Sequence, residues 1–289
     1  MKTILITGIT GYLGKRLSSA ILKQGFNIIG LTPSKSNSIP QNSALKLYYL
    51  DETPLEEVFK SNRIDGIIHL ATLYGRKGES AADMAKVNII FPLGLMVAAA
   101  KYKTSFFINT DTILTPTLNP YALTKHQTKQ WLDMFNNEFA AVNLRLDHFY
   151  GPQDSDVKFI AYLLKQLKAE VKSIPLTPGD QTRDFIYIDD VISAYITVIN
   201  AALDGKFDLG KTHNFEVGTG VKTTIKELVL TLKKLLNNKT TVLNFGAIPY
   251  RKNEVLNYDI DTAPLKALGW QAKTMLLQGL KQTIKEEEF

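Results

Sequence analysis

The stretch TILITGITGYLG, residues 3–14, begins with five apolar or β-branched residues and then spaces Gly8, Gly11 and Gly14 three apart. The near-continuous apolar run reads as a strand buried on both faces. The amphipathic pattern at 12–24 reads as a helix. A glycine triplet between such a strand and such a helix points to dinucleotide binding. The first glycine makes a tight turn, the second lets a phosphate approach the backbone, and the third lets helix and strand pack closely. The helix N-terminus then offers unpaired N–H groups to a pyrophosphate. Thr10, Tyr12 and Leu13 complete the expected cradle.

Outward from this stretch, short apolar runs alternate with longer amphipathic ones. Strands are expected at 3–7, 27–32, 45–50, 66–70, 105–109 and 141–146. Helices are expected at 12–24, 55–61, 81–102 and 120–138. This alternation predicts an α/β Rossmann fold: a doubly wound parallel sheet with helices on both faces. After Gly151-Pro152 the pattern loosens. Helices are expected at 157–169, 189–202 and 225–236, a strand at 185–188, and a buried strand in HNFEVGTG (213–220). The division expected is a dinucleotide-binding domain at 1–151, with 185–217 returning to it, and a smaller α/β substrate domain at 152–289. The closing KEEEF is expected to fray.

With 289 residues, 45% apolar and 21% charged, the chain is an ordinary globular one. It has no cysteine, which excludes disulfides, thiolate nucleophiles and cysteine-based metal sites. Its four histidines, His69, His126, His148 and His213, show no metal-ligand spacing, so no metal is expected. No segment reads as long and apolar enough to cross a bilayer, and the N-terminus does not read as a signal peptide; a cytoplasmic protein is expected. The net charge is +6, but the basic residues are dispersed, which argues against nucleic acid as a partner.

The second strand ends IIGLTPSK (28–35). A site for NAD places Asp or Glu there, on the ribose 2′-hydroxyl. Here Thr32 takes that position, followed by Ser34 and Lys35, so NADPH is expected over NADH. Asp51 either accepts a bond from the adenine amino group or serves the start of the helix before Pro54.

Tyr121 and Lys125, in TDTILTPTLNPYALTKHQ (110–127), share one face of a helix. A free phenol has a pKa of ~10. A nearby ammonium and a positive nicotinamide ring favour the phenolate. Lys125 is therefore expected to lower the pKa of Tyr121 and to hold the nicotinamide ribose. Thr110, at the expected end of the fifth strand, is suited to bond the substrate oxygen. Together these residues predict hydride transfer between a dinucleotide and an alcohol or ketone, with Tyr121 as general acid or base.

TGITGYLG, HLAT (69–72), Asn88, NTDT (109–112), YALTK (121–125), RLDHFYGP (145–152), QTRDFIYIDD (181–190), GAIPYRKNEV (246–255) and the late LGW together resemble the extended short-chain dehydrogenase/reductase family over nearly the full length. The resemblance implies a nucleotide-sugar substrate bound between a Rossmann domain and a smaller domain. It puts Leu70, Ala71 and Thr72 beside the cofactor, and Arg183 and Arg251 on the substrate diphosphate, where bidentate guanidinium bonding suits phosphate. It puts His148 near nicotinamide and sugar phosphates, Asp111 beside the substrate, and Asn88 on a water path from the lysine to solvent. Within the family, the chain looks most like the nucleotide-sugar 4-ketoreductases of the CDP-abequose and CDP-paratose synthase type. The family also implies a homodimer through helices 81–102 and 120–138.

Three reactions compete on this scaffold. A 4,6-dehydratase of the family carries Asp and Glu directly after the threonine; Asp111 is here followed by Thr112, which disfavours dehydration. A 4-epimerase keeps NAD tightly bound, and the missing acid after the second strand argues against it. A 4-ketoreductase needs only Thr110, Tyr121, Lys125 and exchangeable NADPH, and is the reading preferred. A dinucleotide-sensing regulator would be expected to lack the Tyr–Lys pair.

Overall fold

The computed structural model describes residues 1–35, 39 and 42–287. In chain order the first elements are β1 (Thr3–Thr7), α1 (Tyr12–Lys23), β2 (Asn27–Thr32), β3 (Leu45–Tyr49), α2 (Leu55–Ser61) and β4 (Gly66–His69). There follow α3 (Ala81–Ala85), a π-helical turn (Lys86–Ile90), α4 (Phe91–Lys101), β5 (Phe106–Thr112), α5 (Pro120–Met134) and β6 (Ala140–Leu146). The remainder comprises β7 (His148–Tyr150), α6 (Phe159–Lys168), β8 (Ser173–Leu176), β9 (Thr182–Tyr187), α7 (Ile188–Leu203) and β10 (Thr212–Val217). It closes with β11 (Lys222–Thr224), α8 (Ile225–Leu235), β12 (Val242–Phe245), α9 (Ala263–Ala267) and α10 (Leu276–Glu286).

The chain divides into two compact units. The first holds 1–146, 192–216 and 267–270; the second holds 147–191, 217–266 and 271–289. In the first unit the sheet order is β10-β6-β5-β4-β1-β2-β3. The β3-β2-β1-β4-β5-β6 pairs are all parallel. This is a doubly wound α/β sheet, as its buried apolar strands predict: Ile4, Leu5, Ile6, Ile67, Ile68, Phe106, Phe107 and Ile108 are fully buried. Strand order reverses between β1 and β4, and ligands of such sheets collect beyond the carboxyl ends at that reversal.

The second unit has a three-stranded sheet, β11-β9-β7, and a parallel pair, β12-β8. In the three-stranded sheet β7 runs parallel to β9 and β11 antiparallel to it.

Four sequence expectations change. β5 runs on to Thr112, so Thr110 lies inside the strand, opposite Leu144, and not at its end. β3 stops at Tyr49, and Asp51 falls in the turn beyond it. The first residues of KEEEF are helical, since α10 continues to Glu286; Glu288 and Phe289 lie outside the described residues. Helix 81–101 is a continuous 21-residue helix, long and apolar enough by length and composition alone to cross a bilayer. Leu95, Met96, Ala98 and Ala99 account for part of that apolarity, since they are buried in the core with Leu5, Ile67 and Phe107.

Candidate active site

Gly8 follows β1 with φ +66°, and a Cβ there would lie 2.7 Å from the Ala71 backbone nitrogen. A Cβ on Gly14 would lie 2.2 Å from the Gly8 carbonyl oxygen. The turn, the end of β4 and the start of α1 therefore close on one another with no room for side chains. Gly11 caps α1 in an extended conformation without any side-chain cap, so the start of the helix presents backbone N–H groups, that of Leu13 among them, to a ligand or to water. This cradle fits the pyrophosphate of a dinucleotide.

Thr7 braces the cradle from below. Its hydroxyl oxygen accepts the N–H groups of Leu70 and Ala71, both at 3.1 Å, and lies 2.9 Å from His69 Nδ1. With two N–H donors on the oxygen, the single hydroxyl hydrogen goes to Nδ1, and His69 carries its own proton on Nε2. Burial, reinforced by the charge of Lys125, holds the His69 imidazole neutral, well below its usual range. The Thr72 hydroxyl donates to Asn88 Oδ1 at 3.1 Å. The backbone donors of Leu70 and Ala71 and the hydroxyl of Thr72 are thus engaged within the protein.

At the end of β2, Thr32 is buried and its hydroxyl donates to the Ser34 carbonyl at 3.2 Å. The Asp51 N–H donates to the Pro33 carbonyl, which ties the turns after β2 and β3 together. Lys35 lies in an exposed pair with Glu52, 3.8 Å apart, a carboxylate that inspection of the second strand alone does not reveal.

α5 starts on Pro120, and the side chain of Asn119 caps it by accepting the Ala122 N–H at 2.8 Å. That cap fixes the first turn, which carries Tyr121, and the next, which carries Lys125. Lys125 is 2% exposed. Among the described residues no hydrogen bond or ion pair reaches its ammonium. Burial pushes it down to about 8, against the opposing pull of Asp111. A buried cation without a fixed anion suits the nicotinamide ribose hydroxyls.

The phenol of Tyr121 departs from expectation. It is raised well above its ordinary value: burial dominates, Tyr74 and Asp111 add to it, and Thr112 and Arg76 pull the other way. The acidifying effect expected of Lys125 does not emerge: burial dominates, and the Tyr74 ring packs on the phenol with centroids 4.8 Å apart and planes tilted by 33°. Protein groups alone hold Tyr121 as the protonated acid.

Thr110 bonds at 2.6 Å to the hydroxyl of Tyr195 on α7. Asp111 accepts the Thr112 N–H at 2.7 Å and an Asn143 N–H at 3.0 Å, and Asn143 in turn accepts from Asn109. Asn88 is bonded through both ends of its side chain. Its carboxamide accepts from Thr72 and the Leu73 N–H and donates to the Leu73 carbonyl and Thr124 Oγ1, while its carbonyl takes the Thr128 hydroxyl. None of these bonds goes to Lys125. Asn88, inside the π-helical turn, is a clamp between the loop after β4 and α5.

In the second unit, Arg183 is 7% exposed. Its guanidinium donates to the carbonyls of Thr182 (2.7 Å) and Val255 (3.0 Å), pairs with Glu254 and lies over Tyr258. The open fork expected of a phosphate ligand is engaged internally, because a carboxylate 71 residues away in sequence folds onto it. Arg251 is exposed, and among the described residues its side chain has no hydrogen-bonding partner. His148 Nδ1 is bonded to Asp147, whose buried carboxylate also accepts Tyr258 Oη at 2.6 Å and the Asp184 N–H at 3.1 Å. That leaves His148 Nε2 as the ring nitrogen without a hydrogen-bonding partner among the described residues.

The model of the NAD dependent epimerase/dehydratase family matches residues 4–210. The chain belongs to this family. A CDP-abequose synthase of Salmonella typhimurium is 31% identical over 98% of this chain and 97% of that protein. A second, from Salmonella muenchen, is also 31% identical, over 99% and 98%. Among solved structures, UDP-glucose 4-epimerase of Thermotoga maritima with UDP-glucose superposes with a TM-score of 0.81 at 26% identity, covering 98% of both chains. UDP-glucuronic acid 4-epimerase of Bacillus cereus, in complex with UDP-glucuronic acid and NAD, gives 0.84 at 23% identity over 99% of both. The family member described here is thus an NAD(P)-binding Rossmann enzyme.

In this family member Tyr74, Thr124 and Tyr195 also lie against the proposed site residues, and no motif in the sequence marks them. Tyr195 sits in the apolar helix pattern DVISAYITVI, 85 residues from its partner, and no local signal marks it.

Proposed function

We propose that this enzyme reduces the C4 keto group of a nucleotide-linked 4-keto-deoxy sugar, most simply a CDP-linked 3,6-dideoxy sugar, with NADPH. One observation carries the reading. After Thr110 the strand carries no second carboxylate: Asp111 is followed by Thr112, and Asp111 is engaged by backbone and Asn143. A 4,6-dehydratase needs a further acid–base pair at that point. The likeness to CDP-abequose synthases, spread over the whole chain, supports the same choice.

In the cradle between β1 and α1, first-turn N–H groups would hold the pyrophosphate, and Lys125 the nicotinamide ribose. NADPH, when bound, supplies the hydride that C4 receives. Tyr121, held protonated, gives its proton to the oxygen at C4, and Thr110 donates a hydrogen bond to that same oxygen. Lys125 keeps positive charge beside the phenolate that this leaves. Thr32, Ser34 and Lys35 favour a 2′-phosphate. The exposed pair of Lys35 with Glu52 is worth little, so Lys35 is readily drawn to a phosphate. For the second unit, the reading is recognition of the nucleotide diphosphate by Arg251 and His148. The exposed apolar stripe of Ile90, Val97, Leu123, Trp131 and Met134 on α4, α5 and the π-helical turn is read as the contact between two copies of the chain.

A 4-epimerase is the second reading, favoured by the likeness to UDP-glucose 4-epimerase. Absorbance at the NADPH band separates the two, with a panel of enzymatically made CDP-, dTDP- and UDP-linked 4-keto sugars. The expected result is consumption of NADPH, faster than of NADH, with a CDP-linked member. No consumption of either cofactor, with interconversion of 4-hydroxy sugars instead, overturns the reductase in favour of the epimerase.

A further inference from the structure

Tyr195 is fully buried in the middle of α7, and its hydroxyl has one partner among the described residues, Thr110 Oγ1 at 2.6 Å. A buried hydroxyl is costly unless its hydrogen is placed. The bond has two possible directions. If Thr110 donated to Tyr195, the phenolic hydrogen would be left without an acceptor in a dry site. If Tyr195 donates to Thr110, that hydrogen is satisfied, and the hydrogen of the part-exposed Thr110 is left for another acceptor. Phenols are the stronger donors and the weaker acceptors of the two alcohol types, which favours the same direction. Burial raises the Tyr195 phenol further, so it stays protonated and able to donate.

We infer that Tyr195 is a positioning residue whose phenol locks the hydroxyl of Thr110 as a hydrogen-bond donor toward the C4 oxygen of the substrate. The inference rests on the reductase reading. Its consequence is selective. Tyr121 is also held as a protonated donor, so two donors face the C4 oxygen. A keto oxygen accepts both. The C4 hydroxyl formed by reduction gives its hydrogen to the Tyr121 phenolate, but once Tyr121 is reprotonated that hydroxyl faces two donors and has no acceptor for its own hydrogen in either group. The locked Thr110 therefore favours the ketone over the alcohol and helps the reduced product leave.

The test uses the full-length enzyme with NADPH and CDP-4-keto-3,6-dideoxyglucose, in Tyr195→Phe, Thr110→Val, Thr110→Ser and the paired variants. Tyr195→Phe is expected to lower kcat about tenfold, the upper range for one hydrogen bond, with KM for NADPH unchanged. The same change is expected to cost nothing further in Thr110→Val, and to cost about tenfold again in Thr110→Ser, which keeps the hydroxyl. Equal losses in all three backgrounds would mean that Tyr195 acts by packing alone, and full activity in Tyr195→Phe would mean that it does not act at all; either overturns the inference. A second arm needs no turnover. In protein carrying ring-labelled tyrosine, the Tyr195 resonance, identified by its loss in Tyr195→Phe, is expected to move in Thr110→Val. An unmoved resonance overturns the pairing itself. A wild type that consumes no NADPH with any keto sugar, while that resonance does move, counts against the reaction and the donor role but not against the pairing.

Discussion

The carboxamide of Asn88 donates to the hydroxyl of Thr124, 2.9 Å away and one residue before Lys125. The same carboxamide holds Thr72 and Leu73, so a single side chain joins the loop after β4 to the helix of the proposed proton donor. Asn88→Ala removes all of these bonds and leaves buried partners unpaired. A loss of about 2–3 kcal/mol in urea unfolding is expected, together with a fall in kcat. An Asn88→Ala protein of normal stability with an altered pH–rate profile would instead favour a proton-relay role.

Lys125 makes a separate prediction through its pKa of about 8. In the unfolded chain its ammonium titrates at ~10.4. Between these values the unfolded state binds more protons, so this group makes stability rise with pH across that window. Below it the penalty for burying the charge is present in full, on the order of 3 kcal/mol as an upper figure. Lys125→Met should therefore stabilise the cofactor-free protein at pH 7 and flatten the rise between pH 8 and 10, while weakening NADPH binding. Urea unfolding at both pH values, wild type against variant, checks this; a variant less stable at pH 7 contradicts it.

Gly11 and Gly14 should behave differently when given a methyl group. On Gly14 the new carbon would meet the Gly8 carbonyl oxygen at 2.2 Å, and on Gly11 the nearest atom, that same oxygen, lies at 3.1 Å. Gly14→Ala is expected to lower the melting temperature well below that of Gly11→Ala. Gly11→Ala is expected to keep the fold and weaken NADPH binding, as read by cofactor fluorescence. Equal melting temperatures would show that the close crossing is not needed.

Ile90, Val97 and Met134 are 62%, 52% and 75% exposed, high for large apolar side chains on neighbouring helices. Sedimentation velocity is expected to give a dimer for the wild type and a monomer for Val97→Glu. A monomeric wild type at micromolar concentration would remove the pairing proposed for this face.

The Rossmann half of the fold was legible because β1, β2, β4, β5 and β6 are buried almost throughout, and residues buried on both faces write themselves as apolar runs. β8 and β12 are half exposed, four residues each, and leave no such run, so they were missed. In the proposed site, spacing and context single out Thr110, Tyr121 and Lys125. What spacing cannot carry is the state of a group. The raised phenol of Tyr121 depends first on its burial and then on Tyr74, 47 residues earlier in sequence. The closed fork of Arg183 depends on Glu254, and the orientation of Thr110 on Tyr195, both far away in sequence.

The most direct test follows deuterium from C4 of labelled NADPH into CDP-4-keto-3,6-dideoxyglucose, with wild type and Tyr121→Phe side by side. The account predicts one deuterium at C4 of the sugar for each NADPH consumed, and a rate lower by roughly 10²-fold or more in the variant. A product without deuterium, or a variant that turns over at the wild-type rate, would contradict it.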